Sequence, residues 1–190
     1  MKDGPRVHAE SVEDWRSWLA ENHERSSGVW LVSWKRPTGR PAIGYEASVE
    51  EALAFGWIDS KGLTLDDERS MLWFTPRKRG SGWSRPNKER IERLEADGRM
   101  TDAGRALIDA AKADGSWTLL DDVENLVVPD DLAEAFARHP GSREHWDEFP
   151  RSPRRALLEW LVHTKRPETR AKRIEEIATK AAKGERANQR

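Results

Sequence analysis

The sequence contains no cysteine and no apolar run approaching the length of a bilayer crossing. The first absence removes disulfides, thiol nucleophiles and cysteine-ligated zinc. The second, with Met-Lys-Asp-Gly-Pro-Arg at the start where a signal peptide would carry an apolar core, leads to an expected cytoplasmic protein with no membrane insertion. Also missing are a Gly-x-Ser-x-Gly elbow, a dinucleotide glycine fingerprint and Walker spacing. His8, His23, His139, His145 and His163 show no zincin pairing. The reading therefore calls for no cofactor and no metal, and leans away from an enzyme, although a triad assembled from distant segments stays open.

What the chain does have is tryptophan. Ten indoles in 190 residues supply large apolar area, each wanting a partner for its N–H when buried. A chain of this length buries roughly 70% of its unfolded surface, enough for one domain or two small ones. The net charge of −1 hides segregation. Residues 1–75, 76–100, 101–150 and 151–190 carry balances of −4, +4, −8 and +7. Two basic blocks meeting in space would make an anion-attracting face; pairing of the acidic block with the basic C-terminus is the alternative.

Periodicity predicts an α+β fold: a small mixed sheet with helices in residues 1–100, and an all-helical half in 101–184 packed against it as one globule. A disordered tail is expected at 185–190. Ser11 and Asp14 form a capping box for a helix over 11–22. Val29–Trp34 is apolar on both faces and reads as a buried strand. Ser48 and Glu51 resemble a second capping box, with Gly56 ending that helix. Residues 57–60 and 70–75 read as short strands. Helices follow from Ser84 to Gly98, Thr101 to Gly115, 130–138, 142–148, from Ser152-Pro153 and from Pro167, with 116–129 an extended crossing segment. Trp15, Trp18, Trp30 or Trp34, Leu53 and Trp160 are the expected core, with Trp83 left accessible to solvent.

Polar chemistry concentrates between residues 57 and 90. Asp59, flanked by Trp57 and Lys61 where a short apolar strand runs out, is the candidate catalytic residue, since a carboxylate near an indole can serve as acid or base. It can equally cap a turn. Thr75, Arg77 and Lys78 open a cationic glycine-bearing loop that leads to Trp83. Ser84, Asn87 and Lys88 start the following helix, where amide donors favour an anion. The alternative is a solvated loop with Trp83 folded back as an anchor. Lys165-Arg166-Pro167 with Arg170, Lys172 and Arg173 make a second basic cluster, either snorkelling over a core edge or docking a partner.

Several strings occur in order along the chain: Asn22-His23, Gly28-Val-Trp-Leu31, Glu50 to Ser60, Thr75-Pro-Arg-Lys78, Trp83-Ser84, Asn87-Lys88, Gly98-Arg-Met-Thr101 and Lys165 to Ile174. With them the chain resembles the YdeI/OmpD-associated family of bacterial proteins, also called bacteriocin-protection proteins, from about residue 11 to 180. The resemblance implies a phenotype and a porin association and assigns no reaction. Three classes follow. One is a non-enzymatic binding or stress-tolerance protein taking an anionic or aromatic ligand, an anionic small molecule or a polyanion, through Trp57, Asp59, Lys61, Thr75, Arg77, Lys78, Trp83, Ser84, Asn87 and Lys88. The second is a small hydrolase or transferase acting on a phosphorylated substrate with Asp59 as base. The third is an adaptor that docks a protein partner through its C-terminal helices.

Overall fold

The computed structural model describes residues 4–188. It has an α+β fold whose strands all lie in the N-terminal part, and it divides into two compact units, Met1–Trp117 and Thr118–Arg190. The expected division at residue 100 moves because the helix after it belongs to the first unit. Thr101 caps that helix, α4 (Asp102–Asp114), by accepting from Gly104 N–H, and donates its hydroxyl to the Ala54 carbonyl at 2.6 Å. Ile108 and Ala111 then enter the first unit's core.

The first unit is built on a four-stranded sheet in the order β1-β2-β4-β3. Strand β1 (Arg6–His8), which periodicity did not predict, runs parallel to β2 (Val29–Trp34). The hairpin of β3 (Trp57–Thr64) and β4 (Arg69–Pro76) is antiparallel, as is the β2–β4 pair. Three further helices cover this sheet's core: α1 (Val12–Asn22), α2 (Tyr45–Ala54) and α3 (Arg85–Ala96). The Ser11–Asp14 capping box forms as predicted. The second box does not. Helix α2 starts earlier, with the Gly44 carbonyl accepting Ser48 N–H, so Ser48 lies inside the helix and turns its hydroxyl to the Tyr45 carbonyl. Glu51 does not reach back to a cap because two arginines hold it.

Trp15, Trp30 and Leu53 are buried as expected, and Trp15 N–H donates to the Ser48 carbonyl. Trp18 is half-buried, its ring stacked on Trp15 at 5.3 Å. Trp34 is also half-buried.

The second unit is helical: α5 (Asp121–Glu124), α6 (Asp130–Arg138), α7 (Ser142–Glu148), α8 (Arg151–Val162) and α9 (Pro167–Ala181). Segment 116–129 is not extended. It is a run of turns around α5, folded that way because Leu120 and Val123, three residues apart, both enter the unit's core. Trp160 is half-buried rather than central, its ring covered by the Arg173 guanidinium at 4.5 Å. Of the expected tail, residues 185–188 are placed, with Ala187 buried and Asn188 N–H donating to Glu176. Residues 189 and 190 lie outside the described residues. Among the described residues no helix is long and apolar enough to cross a membrane.

Candidate ligand groove on the sheet

Side chains alternate across a strand, so residues directly opposite one another on neighbouring strands share a face. The register therefore lays out rows. Val29, Phe74 and Asp59 form one, Leu31, Leu72 and Gly62 the next, and Ser33, Ser70 and Thr64 the third. The irregularity between Asp59 and Gly62 keeps all three rows on one face, the extra residue being absorbed as a bulge in the edge strand. In the first row Val29 and Phe74 are buried in the core, while Asp59 on the edge strand is half-buried. The third carries three hydroxyls. Above the second and third rows lies a groove of about 440 Å³, walled by Ile43, Tyr45 and Ser48 and floored by Leu31 and Leu72. Gly62 leaves its row without a side chain at the outer edge, and a Cβ added there would have Leu72 Cδ1 as its nearest neighbour, at 4.0 Å.

Tyr45 stands at the rim, 54% exposed. Its hydroxyl donates to Asp59 Oδ2 at 3.1 Å. Burial and the Asp59 carboxylate push the phenol pKa above its ordinary value, so Tyr45 stays a proton-bearing donor. Arg90 lies 6.0 Å from the ring centroid and is itself fixed, donating to both Glu46 carboxylate oxygens (2.9 and 2.7 Å) and to Asn87 Oδ1 at 2.8 Å. That pair holds the Glu46 carboxyl below its usual value and the Arg90 guanidinium above. The groove lining carries no ionisable group apart from the Tyr45 phenol.

The structure gathers only part of the site predicted from sequence. Trp57 is buried and donates its N–H to the His23 carbonyl at 3.2 Å, so it packs rather than binds. Asp59 belongs to the groove through Tyr45, and Asn87 adjoins it through Arg90. Lys61 lies exposed at the bulge, and Thr75 is half-buried opposite Ile58. The Arg77 backbone N–H donates to the Gly56 carbonyl, which fastens the loop beside the start of β3. Its guanidinium donates to the Gly82 carbonyl and lies 3.7 Å from the Trp83 ring centroid.

Trp83 corrects an expectation outright. It is 2% exposed, because its ring packs against Trp117 at 5.2 Å while Arg77 covers it, and no stacking face is open to a ligand. The loop that carries Arg77, Lys78 and Arg79 closes to a cavity of about 10 Å³. Ser84 makes no side-chain capping bond, and Lys88 Nζ lies 5.1 Å from the Trp117 ring.

Ser33, Tyr45, Thr64 and Ser70 were not anticipated. A serine ending the inward alternation of Val29-Leu31-Ser33, matched by Ser70-Leu72-Phe74, was the available signal. It acquires meaning only once β3 is known to run to Thr64.

Comparison with known proteins divides at the same place as the structure. Residues 7–107 match the model of a domain of unknown function, DUF8412, and residues 125–184 match the model described as bacteriocin-protection, YdeI or OmpD-associated. The chain belongs to the DUF8412 family, whose model spans residues 7–107, and its C-terminal part matches the YdeI/OmpD-associated family over residues 125–184. The resemblance seen in the sequence thus holds in the second unit, while the strings quoted between residues 22 and 101 fall within the DUF8412 match. Neither the curated proteins nor the solved structures gave a match. The groove lies wholly within the DUF8412 segment.

Proposed function

We propose that this is a binding protein whose sheet groove takes a small, uncharged, partly apolar ligand carrying hydroxyl or carbonyl groups. The row of Ser33, Ser70 and Thr64 beside a leucine floor carries the reading. Apolar surface supplies affinity, and a few aligned hydroxyls, each both donor and acceptor, supply orientation. The volume is in the range of small-molecule sites, and the exposed Tyr45 ring offers a face against which a planar or ring-shaped ligand can rest. A polyanion is disfavoured because no cation lines the groove and the cationic loop has folded onto Trp83. Phosphoryl chemistry at Asp59 is disfavoured because its carboxylate accepts from Tyr45, and no hydrogen bond or ion pair joins it to the Arg77 guanidinium. Protection against bacteriocins, the role named for the C-terminal family, would here draw on a bound small molecule.

The test is a calorimetric screen of uncharged ring compounds against the parent and a Gly62→Val variant. Valine suits a strand, and the open space at Gly62 admits it without a clash. Binding should survive high salt and disappear in Gly62→Val. Tyr45→Ala should weaken it about 2- to 10-fold, the range for one aromatic contact. Compounds that bind parent and Gly62→Val equally, or whose affinity collapses with salt as phosphate contacts do, would remove the groove from the account.

A further inference from the structure

Strand β3 forms one edge of the sheet, bonded to β4 on its inner side. Hydrogen bonding alternates along an antiparallel pair, so a single bond fixes which way each amide points. Leu65 N–H donates to the Arg69 carbonyl at 3.0 Å, which makes Leu65 and, two residues back, Leu63 the members that bond across to β4. Lys35 N–H, donating to the Glu68 carbonyl at 2.8 Å, sets the same phase from the β2 side. Gly62 and Thr64, opposite Leu72 and Ser70, therefore aim their N–H and C=O groups outward. Both residues are exposed, and these backbone groups bond to no other described residue.

We infer that this edge takes an extended peptide segment, added antiparallel to β3 as a further strand, with an uncharged apolar side chain opposite Gly62 lying in the groove. The inference rests on the groove being a ligand site and names what reaches it from the open side. Gly62 and Thr64 are the β3 members of the rows beneath the groove. A peptide residue paired with Gly62 exchanges both main-chain bonds with it and carries its side chain on the groove face. Gly62 has no side chain to block the way, and Leu72 and Leu31 lie beyond it on the floor. Main-chain bonds thus supply affinity, while the groove selects the side chain. A charged side chain is disfavoured there, because the lining has no ionisable group but the Tyr45 phenol to replace its hydration. The bulge at Ser60 and Lys61 interrupts the ladder and confines regular pairing to the stretch from Gly62 to Thr64. Lys61, exposed and in no ion pair with a described residue, stands beside the next position of the peptide and favours an acid there.

The probe is the pentapeptide Thr-Val-Leu-Glu-Thr, acetylated and amidated, titrated into the full chain while amide hydrogen exchange is followed by NMR. Bound peptide should slow exchange at Gly62 and Thr64, whose amides the open edge leaves unprotected. Methylating the leucine nitrogen, which removes one main-chain donor, should weaken binding about 5- to 10-fold. Alanine in place of the leucine should weaken it about tenfold, the effect of half-burying the carbons lost. Unchanged exchange at Gly62 and Thr64 in millimolar peptide, or equal affinity for the methylated or the alanine peptide, would overturn the proposal. Slow exchange already present without peptide and growing with protein concentration would also overturn it, assigning the edge to a second copy of the chain. The groove reading fails in a different way, when no ring compound of the calorimetric screen shifts the Leu31 or Ser33 amide. The peptide reading alone fails when those shifts occur and the peptide leaves Gly62 and Thr64 unprotected.

Discussion

Glu51 is a carboxylate 1% exposed on the inner face of α2, and two arginines reach it: Arg16 from α1 at 2.6 Å and Arg99 from beyond α3. Arg16 also donates to the Arg99 carbonyl at 3.0 Å, so one acid fastens three segments of chain. Glu51→Gln takes the carboxylate from two arginines that are each about one-third exposed, and the loss of these charge-assisted hydrogen bonds should cost about 1.5–3 kcal/mol in urea unfolding. A loss below about 1 kcal/mol would mean that water reaches the arginines and the cluster is a surface pair. The sequence shows Glu51 only as an acid three residues after a serine, the pattern of a helix start. Its true partners are 35 and 48 residues away, and no local spacing encodes them. Trp83 fails for the same reason. Glycines and cations around it describe a solvated loop, and burial comes from Trp117, 34 residues on.

Elements were more legible than contacts. Strand β2 and helix α7 have the predicted limits, and α1 and α4 lie within a residue of theirs, because each is bounded by a local signal such as the Ser11 box or the left-handed Gly115. The strand read from sequence ends at Ser60, whereas pairing with β4 carries β3 through a bulge to Thr64. That error hid the hydroxyl row. Helix α4 packs so closely on α2 that a Cβ on Gly104 would run into the Ala54 carbonyl. Helix propensity alone would have Gly104→Ala gain about 1 kcal/mol. The clash reverses the sign, and a lowered melting temperature should be measured; an increase would place α4 further from α2. In the second unit, Arg170 on α9 grips Asp131 on α6 with two bonds of 2.6 and 3.0 Å. Arg170 holds the Asp131 carboxyl below its ordinary value. Between the two values the unfolded chain binds more protons, so this stability is present above the ordinary carboxylate range and is lost as pH falls through the lowered value. Asp131→Asn should therefore cost about 1 kcal/mol at neutral pH. The gap to the parent should close below about pH 4; a gap independent of pH would assign the effect to packing.

At the scale of the molecule, each unit has a buried cluster of its own, one around Trp15, Phe74 and Trp57, the other around Trp146, Leu158 and Ile177. The two family matches respect the same division. Charge blocks along the sequence did not reveal it, because acids and arginines within each unit pair with one another, as Glu50 does with Arg93 and Glu124 with Arg155. Chain 1–117 should accordingly unfold in one cooperative urea transition when made alone; a gradual transition would mean that its core depends on the rest of the chain. The groove lies in that unit, and the claim that it is the binding site meets its most direct test in amide chemical-shift mapping with a compound taken from the calorimetric screen. The account predicts perturbations confined to Leu31, Ser33, Tyr45, Gly62, Thr64 and Ser70. Perturbations centred on Arg77 to Lys88, with the sheet unmoved, would contradict it.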